Sequence, residues 1–151
     1  IPNGSEVGSD KYAYKLRWLE ALQGWLKEEL AQHPQLALLG DYNIAPEDAD
    51  VHDPVAWKDQ ILCSEPERAA FRDFLGLGLI DAFRRFEQAP KSYSWWDYRQ
   101  MGFRLNRGLR IDHILLSAPL AGACSACTID KAPRKNERPS DHTPVVVELQ
   151  D

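Results

Sequence analysis

Leu36-Ala37-Leu38-Leu39-Gly40-Asp41-Tyr42-Asn43 is the stretch whose character settles the fold class. Four apolar residues in succession, closed by a glycine, read as a short strand buried on both faces. Upstream, Tyr12, Leu16, Leu19, Leu22, Leu26 and Leu30 keep three- and four-residue spacing behind a capping Ser9 or Asp10, and Pro34 ends the run. An amphipathic helix therefore leads into the strand. Helix followed by buried strand predicts a layered α/β arrangement.

Downstream, residues 41–63 are acidic and loop-like, with Pro46 and Pro54 and no sustained period. Ser64-Glu65-Pro66-Glu67 then predicts a capping box opening a helix through Phe71, Phe74 and Leu75, which Gly76 and Gly78 end. Leu79 to Phe83 can be read as extended or as a turn. From Ser92 the chain becomes aromatic, with Tyr93, Trp95, Trp96, Tyr98 and Phe103, as for a strand running into a loop. Leu109 to Leu116 reads as a strand with Arg110, Asp112 and Ile114 on one face and Ile111, His113 and Leu115 on the other, so Asp112 and His113 cannot serve the same site. Residues 123–129 and 144–149 complete an expected sheet of four to six strands.

A chain of 151 residues suits one domain with a real core, and 44% hydrophobic with 27% charged residues excludes a disordered chain. No apolar run approaches the roughly 18 to 20 residues of a membrane span and no signal peptide is visible, so the chain reads as soluble and intracellular. Three cysteines, an odd number, oppose a disulfide framework. Cys124 and Cys127 form a C-x-x-C with nothing to complete a zinc site, and read as buried thiols. The net charge of −5 opposes bulk attraction to nucleic acid. Against that total, Arg99, Arg104, Arg107 and Arg110 cluster in one stretch, and Lys131, Arg134, Lys135 and Arg138 in another. The chain opens Ile1-Pro2-Asn3-Gly4 with no initiator methionine, which raises the expectation that it is part of something longer.

The chemistry gathers at strand ends. Asp41 and Asn43 leave the first strand at its C-terminal end, where open α/β sheets place ligands. Pro139-Ser140-Asp141-His142-Thr143-Pro144 is a loop stiffened by two prolines that feeds the β-branched run Val145-Val146-Val147. With Asp112, the set becomes three carboxylates, a carboxamide and a histidine. Such a set suits hydrolysis of a phosphate ester: oxygen ligands for a hard cation, an acid/base group, and a carboxylate to orient the imidazole. No glycine-rich phosphate cradle is present, which excludes P-loop chemistry.

Gly40-Asp41-Tyr42-Asn43 and Ser140-Asp141-His142-Thr143-Pro144 resemble the paired signatures of the endonuclease/exonuclease/phosphatase superfamily. Ser94-Trp95-Trp96-Asp97-Tyr98-Arg99, Asn106-Arg107-Gly108-Leu109-Arg110-Ile111-Asp112 and Ile1-Pro2-Asn3-Gly4 narrow the resemblance to its bacterial exonuclease III branch. The resemblance implies a DNase I-like two-sheet α/β sandwich, of which residues 1–151 would be the C-terminal half. That half would hold one mostly antiparallel or mixed sheet with flanking helices, and the N-terminal half would be absent. It further implies a cytoplasmic, nucleoid-associated DNA-repair phosphodiesterase that cleaves 5′ to abasic sites and trims 3′ ends, with double-stranded DNA as partner and Mg²⁺ or Mn²⁺ as cofactor.

In that resemblance Asp41 is the acid/base carboxylate and a metal ligand, Asn43 holds the water or phosphate, His142 contacts the phosphate, Asp112 orients His142, and Asp141 joins the metal site. Asn3 approaches the phosphate, Trp95 and Trp96 line the sugar pocket, and Arg99, Arg107 and Arg110 contact the DNA backbone. Alternation along a strand allows only one of the two tryptophans to face the pocket. Without its partner sheet the chain alone is expected to be inactive and to self-associate through an exposed apolar face. The alternatives are another phosphoesterase of the superfamily, acting on inositol phosphates or lipid head groups, and a non-catalytic nucleic-acid-binding relative.

Overall fold

A computed structural model describes residues 1–151. Helix α1 (Asp10–Gln32) begins where Ser9 accepts the Tyr12 amide hydrogen, and packs along α3 (Glu65–Gly76). Between them come β1 (Ala37–Asp41) and the single turn α2 (Pro54–Trp57). After α3 follow β2 (Ile80–Asp81), β3 (Trp95–Trp96), β4 (Gly108–Leu109), β5 (Asp112–Leu116), α4 (Ala118–Ala123), β6 (Cys124–Ile129) and β7 (Val145–Leu149). All ladders are antiparallel. In place of one continuous sheet there is a three-stranded sheet in the order β1-β5-β2 and two hairpin-like pairs, β3-β4 and β6-β7. No helix is long and apolar enough to cross a membrane.

The strand buried on both faces is β5, not β1. Leu115 packs with Leu19, Leu26, Phe71 and Phe74 under the helices, while Ile114 and Leu116 pack on the other face with Phe83, Ala121, Cys124 and Cys127. Strand β1 lies at the sheet edge, and its Leu39 is 64% exposed. Its apolar run therefore has one covered face, and Val146 and Leu149 of β7 are likewise uncovered. All three cysteines are buried, Cys124 and Cys127 as read from the sequence, and burial pushes the Cys127 thiol up to about 12.

The expected strand from Leu109 to Leu116 is interrupted at Arg110 and Ile111. The Ser94 hydroxyl accepts both the Ile111 and Asp112 amide hydrogens, each at 3.0 Å, and the Arg110 amide donates to the Asp50 carbonyl at 2.8 Å. These donors are withdrawn from a ladder, and the side-chain alternation is reset across the break. Arg110 and His113, assigned to opposite faces by the period, meet at 3.2 Å.

Arg110 is thereby corrected from a DNA-backbone contact to a core residue. It is 1% exposed, with Nε 2.7 Å from Asp50 Oδ1 and Nη2 2.8 Å from Asp81 Oδ2. A guanidinium enclosed by two carboxylates has no face to offer a phosphate. Ser64 is also reassigned. It occupies the N-cap of α3, but its hydroxyl donates to Glu67 Oε1 at 2.8 Å and accepts from the Tyr12 hydroxyl instead of capping a backbone amide. Glu67 is drawn inward by the fully buried ammonium of Lys15, which sits unannounced on the apolar side of α1.

Arg110→Met leaves Asp50 and Asp81 buried without their shared cation. Its expected cost is about 3–5 kcal/mol of unfolding free energy, the usual scale for breaking a buried ion pair from one side. Urea unfolding followed by circular dichroism measures it, and a loss under about 1 kcal/mol would contradict the role assigned to Arg110.

Candidate active site

The pairing register of β1 with β5 sets Asp41 opposite Asp112. Two carboxylates thus leave adjacent strands side by side. The chain departs β1 through Asn43 at φ 52°, a left-handed conformation that asparagine tolerates. The turn is held from three directions: the Asn43 amide donates to Asp41 Oδ1 at 2.8 Å, Lys15 Nζ donates to the Asn43 carbonyl at 2.6 Å, and Asn43 Nδ2 donates to the Ile1 carbonyl at 2.8 Å. Asn3 is exposed beside it, its Nδ2 3.4 Å from Asn43 Oδ1.

His142 enters from the third side, as a bridge partner of Trp95. Its Nδ1 lies 2.8 and 3.1 Å from the two Asp112 oxygens, so Nδ1 carries a proton and donates it. Nε2 then faces Asp41 Oδ2 at 3.5 Å and Asp141 Oδ1 at 4.0 Å. The hydrogen bond to Asp112 is the main cause of a raised His142 pKa, and it outweighs the opposing effect of partial burial. Asp41 is also raised, chiefly by burial, with the Asp112 charge adding to it and the Asn43 amide opposing it. Two groups side by side thus have raised protonation equilibria, the kind of perturbation that marks candidate acid/base groups.

The ligating atoms of Asp41, Asp112 and His142 lie within 4.8 Å of one another, a spacing that a metal ion could share. His142 Nδ1 is already committed to Asp112. The oxygens without a hydrogen bond are Asp41 Oδ2 and Asp141 Oδ1, since Asp41 Oδ1 accepts from Asn43 and Asp141 Oδ2 accepts the Trp95 indole N–H at 3.0 Å. Hard cations take oxygen donors, so these residues fit a divalent ion better through their carboxylates than through the imidazole.

Trp95 is half-buried and forms one wall of a cleft of about 330 Å³ that also includes His52, Trp57, Arg99, Gln100 and Arg107. The guanidinium of Arg99 is exposed but pairs with Asp97 at 2.8 Å. Trp96 is corrected from pocket lining to core: it is fully buried, stands edge-on to Phe103, and donates its indole N–H to Asn106 Oδ1 at 3.0 Å. His52 and Trp57 were not foreseen, because they sit in a segment without periodicity. A bridge between Val51 and Leu109 brings that segment against β4.

The chain matches the Endonuclease/Exonuclease/phosphatase family over residues 3–142. It is 37% identical to exodeoxyribonuclease III of Haemophilus influenzae, an alignment covering 99% of the chain and 59% of that relative. Its fold superposes on a 3′ phosphatase from Neisseria bound to a product DNA hairpin with TM-score 0.96 at 44% identity, covering 99% of this chain and 58% of that one. It superposes on an AP endonuclease from Archaeoglobus fulgidus with TM-score 0.92 at 37% identity, again covering 99% of this chain and 58% of the other. The chain therefore spans a little under three fifths of the length of these relatives, and it shares their DNase I-like α/β fold with antiparallel sheets.

A raised folded pKa means that protonated His142 contributes stability that is fully present below the unfolded value of about 6.5 and lost as pH rises through the folded value. In metal-free buffer, Asp112→Asn is expected to return the His142 pKa toward about 6.5 in an NMR titration and to remove that part of the pH dependence of unfolding. An unchanged titration would dissociate Asp112 from the histidine.

Proposed function

The chain belongs to the Endonuclease/Exonuclease/phosphatase family, and on that premise we propose that it carries the phosphodiester-cleaving centre of a DNA-repair nuclease. The reaction assigned to it is exonuclease III-like: cleavage 5′ to abasic sites and removal of nucleotides or blocking groups from 3′ ends. The observation that carries this reading is the Asp41–His142–Asp112 alignment at adjoining strand ends, joined to the arginine-bearing cleft through Trp95, which bridges His142 and bonds Asp141.

Asp112 holds the Nδ1 proton of His142, which leaves Nε2–H of the imidazolium to donate to a phosphoryl oxygen as charge develops on it. Asp41, with its raised pKa and its anchoring bond from Asn43, accepts a proton from the attacking water. Asn43, and Asn3 beside it, help hold that water or the phosphate. Asp41 and Asp141 would hold a divalent cation, Mg²⁺ or Mn²⁺, through their unbonded oxygens. Such an ion, when bound, supplies neutralisation of phosphoryl charge. Trp95 offers an aromatic wall to an extruded abasic sugar, while Arg99 and Arg107 give a locally basic rim for the strand backbone despite the overall negative charge.

The test is nicking of an end-labelled duplex with one abasic-site analogue by the protein that carries this chain, with and without Mg²⁺. The expected result is Mg²⁺-dependent cleavage 5′ to the lesion. His142→Ala and Asp41→Asn each lower kcat by about 10²-fold or more while DNA affinity stays within about tenfold, since both residues act on the transition state. Near-normal turnover in either variant removes that residue from its role. An unnicked duplex alongside hydrolysis of an inositol phosphate would transfer the chain to the small-molecule phosphoesterases.

A further inference from the structure

Arg134 is 8% exposed, yet its cation faces rings in place of a carboxylate: its guanidinium carbon lies 4.8 Å from the centroid of Phe103, 5.7 Å from Tyr98 and 5.8 Å from Trp96. Its Nη1 donates to the Ser140 carbonyl at 2.6 Å, and its Nε is buried with no hydrogen-bond partner. A buried cation with an unpartnered donor is costly, and aromatic faces offset only part of the cost. Packing alone would be served as well by a methionine or leucine.

The Ser140 carbonyl belongs to the loop that presents His142, and its neighbours are also held by the aromatic segment. The Pro139 carbonyl accepts from the Tyr98 hydroxyl at 2.8 Å, the Asp141 carbonyl accepts the Trp96 amide hydrogen at 3.1 Å, and the Thr143 amide donates to the Ser94 carbonyl at 2.9 Å. Three successive carbonyls are thus taken up before the histidine is reached. Arg134 is the side chain that both lies over the rings of Trp96, Tyr98 and Phe103 and bonds the loop backbone. The loop is entered through Arg138 at φ 49°, a left-handed conformation that needs such restraint from outside.

We propose that Arg134 is a positioning residue for the nuclease: by clamping the Ser140 carbonyl to the aromatic segment 96–103, it fixes where the His142 loop sits and hence where the imidazole meets the scissile phosphate. It touches no reacting atom and acts only through that loop. The inference rests on the role of His142 given above, while its physical core, the clamp, can be measured without activity.

Amide and indole hydrogen exchange by NMR on the protein that carries the chain, with Arg134→Met and Arg134→Lys, tests it. In Arg134→Met the protection of the Trp96 and Thr143 amides and the Trp95 indole N–H falls about tenfold, the scale of one hydrogen bond, while the β5 amides of Ile114 and Leu115 keep theirs. Arg134→Lys, which keeps the charge but not the planar fork, gives a smaller loss at the same three sites. It carries the test should the methionine variant fail to fold. In the protein that carries the chain, kcat on the abasic duplex falls about tenfold in Arg134→Met with KM within about twofold. Unchanged protection at the three sites overturns the proposal, as does an equal loss at Ile114 and Leu115, which would make Arg134 a general stabiliser. Local loss of protection with unchanged kcat overturns the link to catalysis. A wild-type protein that never nicks, with the exchange pattern as expected, refutes the nuclease reading and leaves the clamp standing.

Discussion

Arg110 is a full positive charge carried to 1% exposure, and the fold around the site is arranged to answer it. Burial alone would drive its pKa down, but Asp81 and Asp50 raise it above the ordinary value. Asp50 in turn is held below the usual carboxylate range, because Arg110 and Arg84 outweigh the effect of its own burial. The remaining Arg110 donor reaches His113 Nδ1, and His113 Nε2 lies 2.7 Å from the Ile44 carbonyl. A carbonyl can only accept, so Nε2 carries the proton and Nδ1 accepts from the arginine. Burial and the neighbouring guanidinium push His113 down to about 4 and keep it neutral.

This network joins the loop after β1, strand β2 and the start of β5, the pieces from which Asn43 and Asp112 project. Buried ion pairs contribute little net stability but penalise every arrangement in which one member is left alone, so they select one geometry. Lys15 and Glu67 act the same way from the helix side, with Lys15 also holding the Asn43 carbonyl. Two neutralised charge clusters therefore bracket the turn that carries Asp41 and Asn43. The Asp41–His142–Asp112 alignment itself is left partly exposed.

The two histidines of the site region show how environment sets protonation. His113, sealed in and facing a cation, is held neutral, while His142, partly buried and facing carboxylates, has its pKa raised. Alternation along residues 112 and 113 separates their surroundings, His113 toward the Ile44 carbonyl and Asp112 toward His142. It failed just before them, at Arg110, because the Ser94 hydroxyl takes the Ile111 and Asp112 amides out of the ladder from 17 and 18 positions away.

Helices α1 and α3, the β1 turn and the loop of residues 139–144 were legible in the chain because caps, prolines and three- to four-residue spacing act over a few neighbouring residues. That Asp41, Asp112 and His142 would be brought together was legible for a similar reason, as short motifs at strand ends. The sequence could not show which face of β1 stays bare, that Trp96 is core while Trp95 meets the cleft, or that Arg110, Lys15 and Arg134 are buried cations. Each of those depends on a partner far along the chain: Asp50 is 60 residues from Arg110, and Glu67 is 52 from Lys15. A charge reads as surface until its counter-charge, or for Arg134 a set of aromatic faces, is brought to it, and only the packed fold does that.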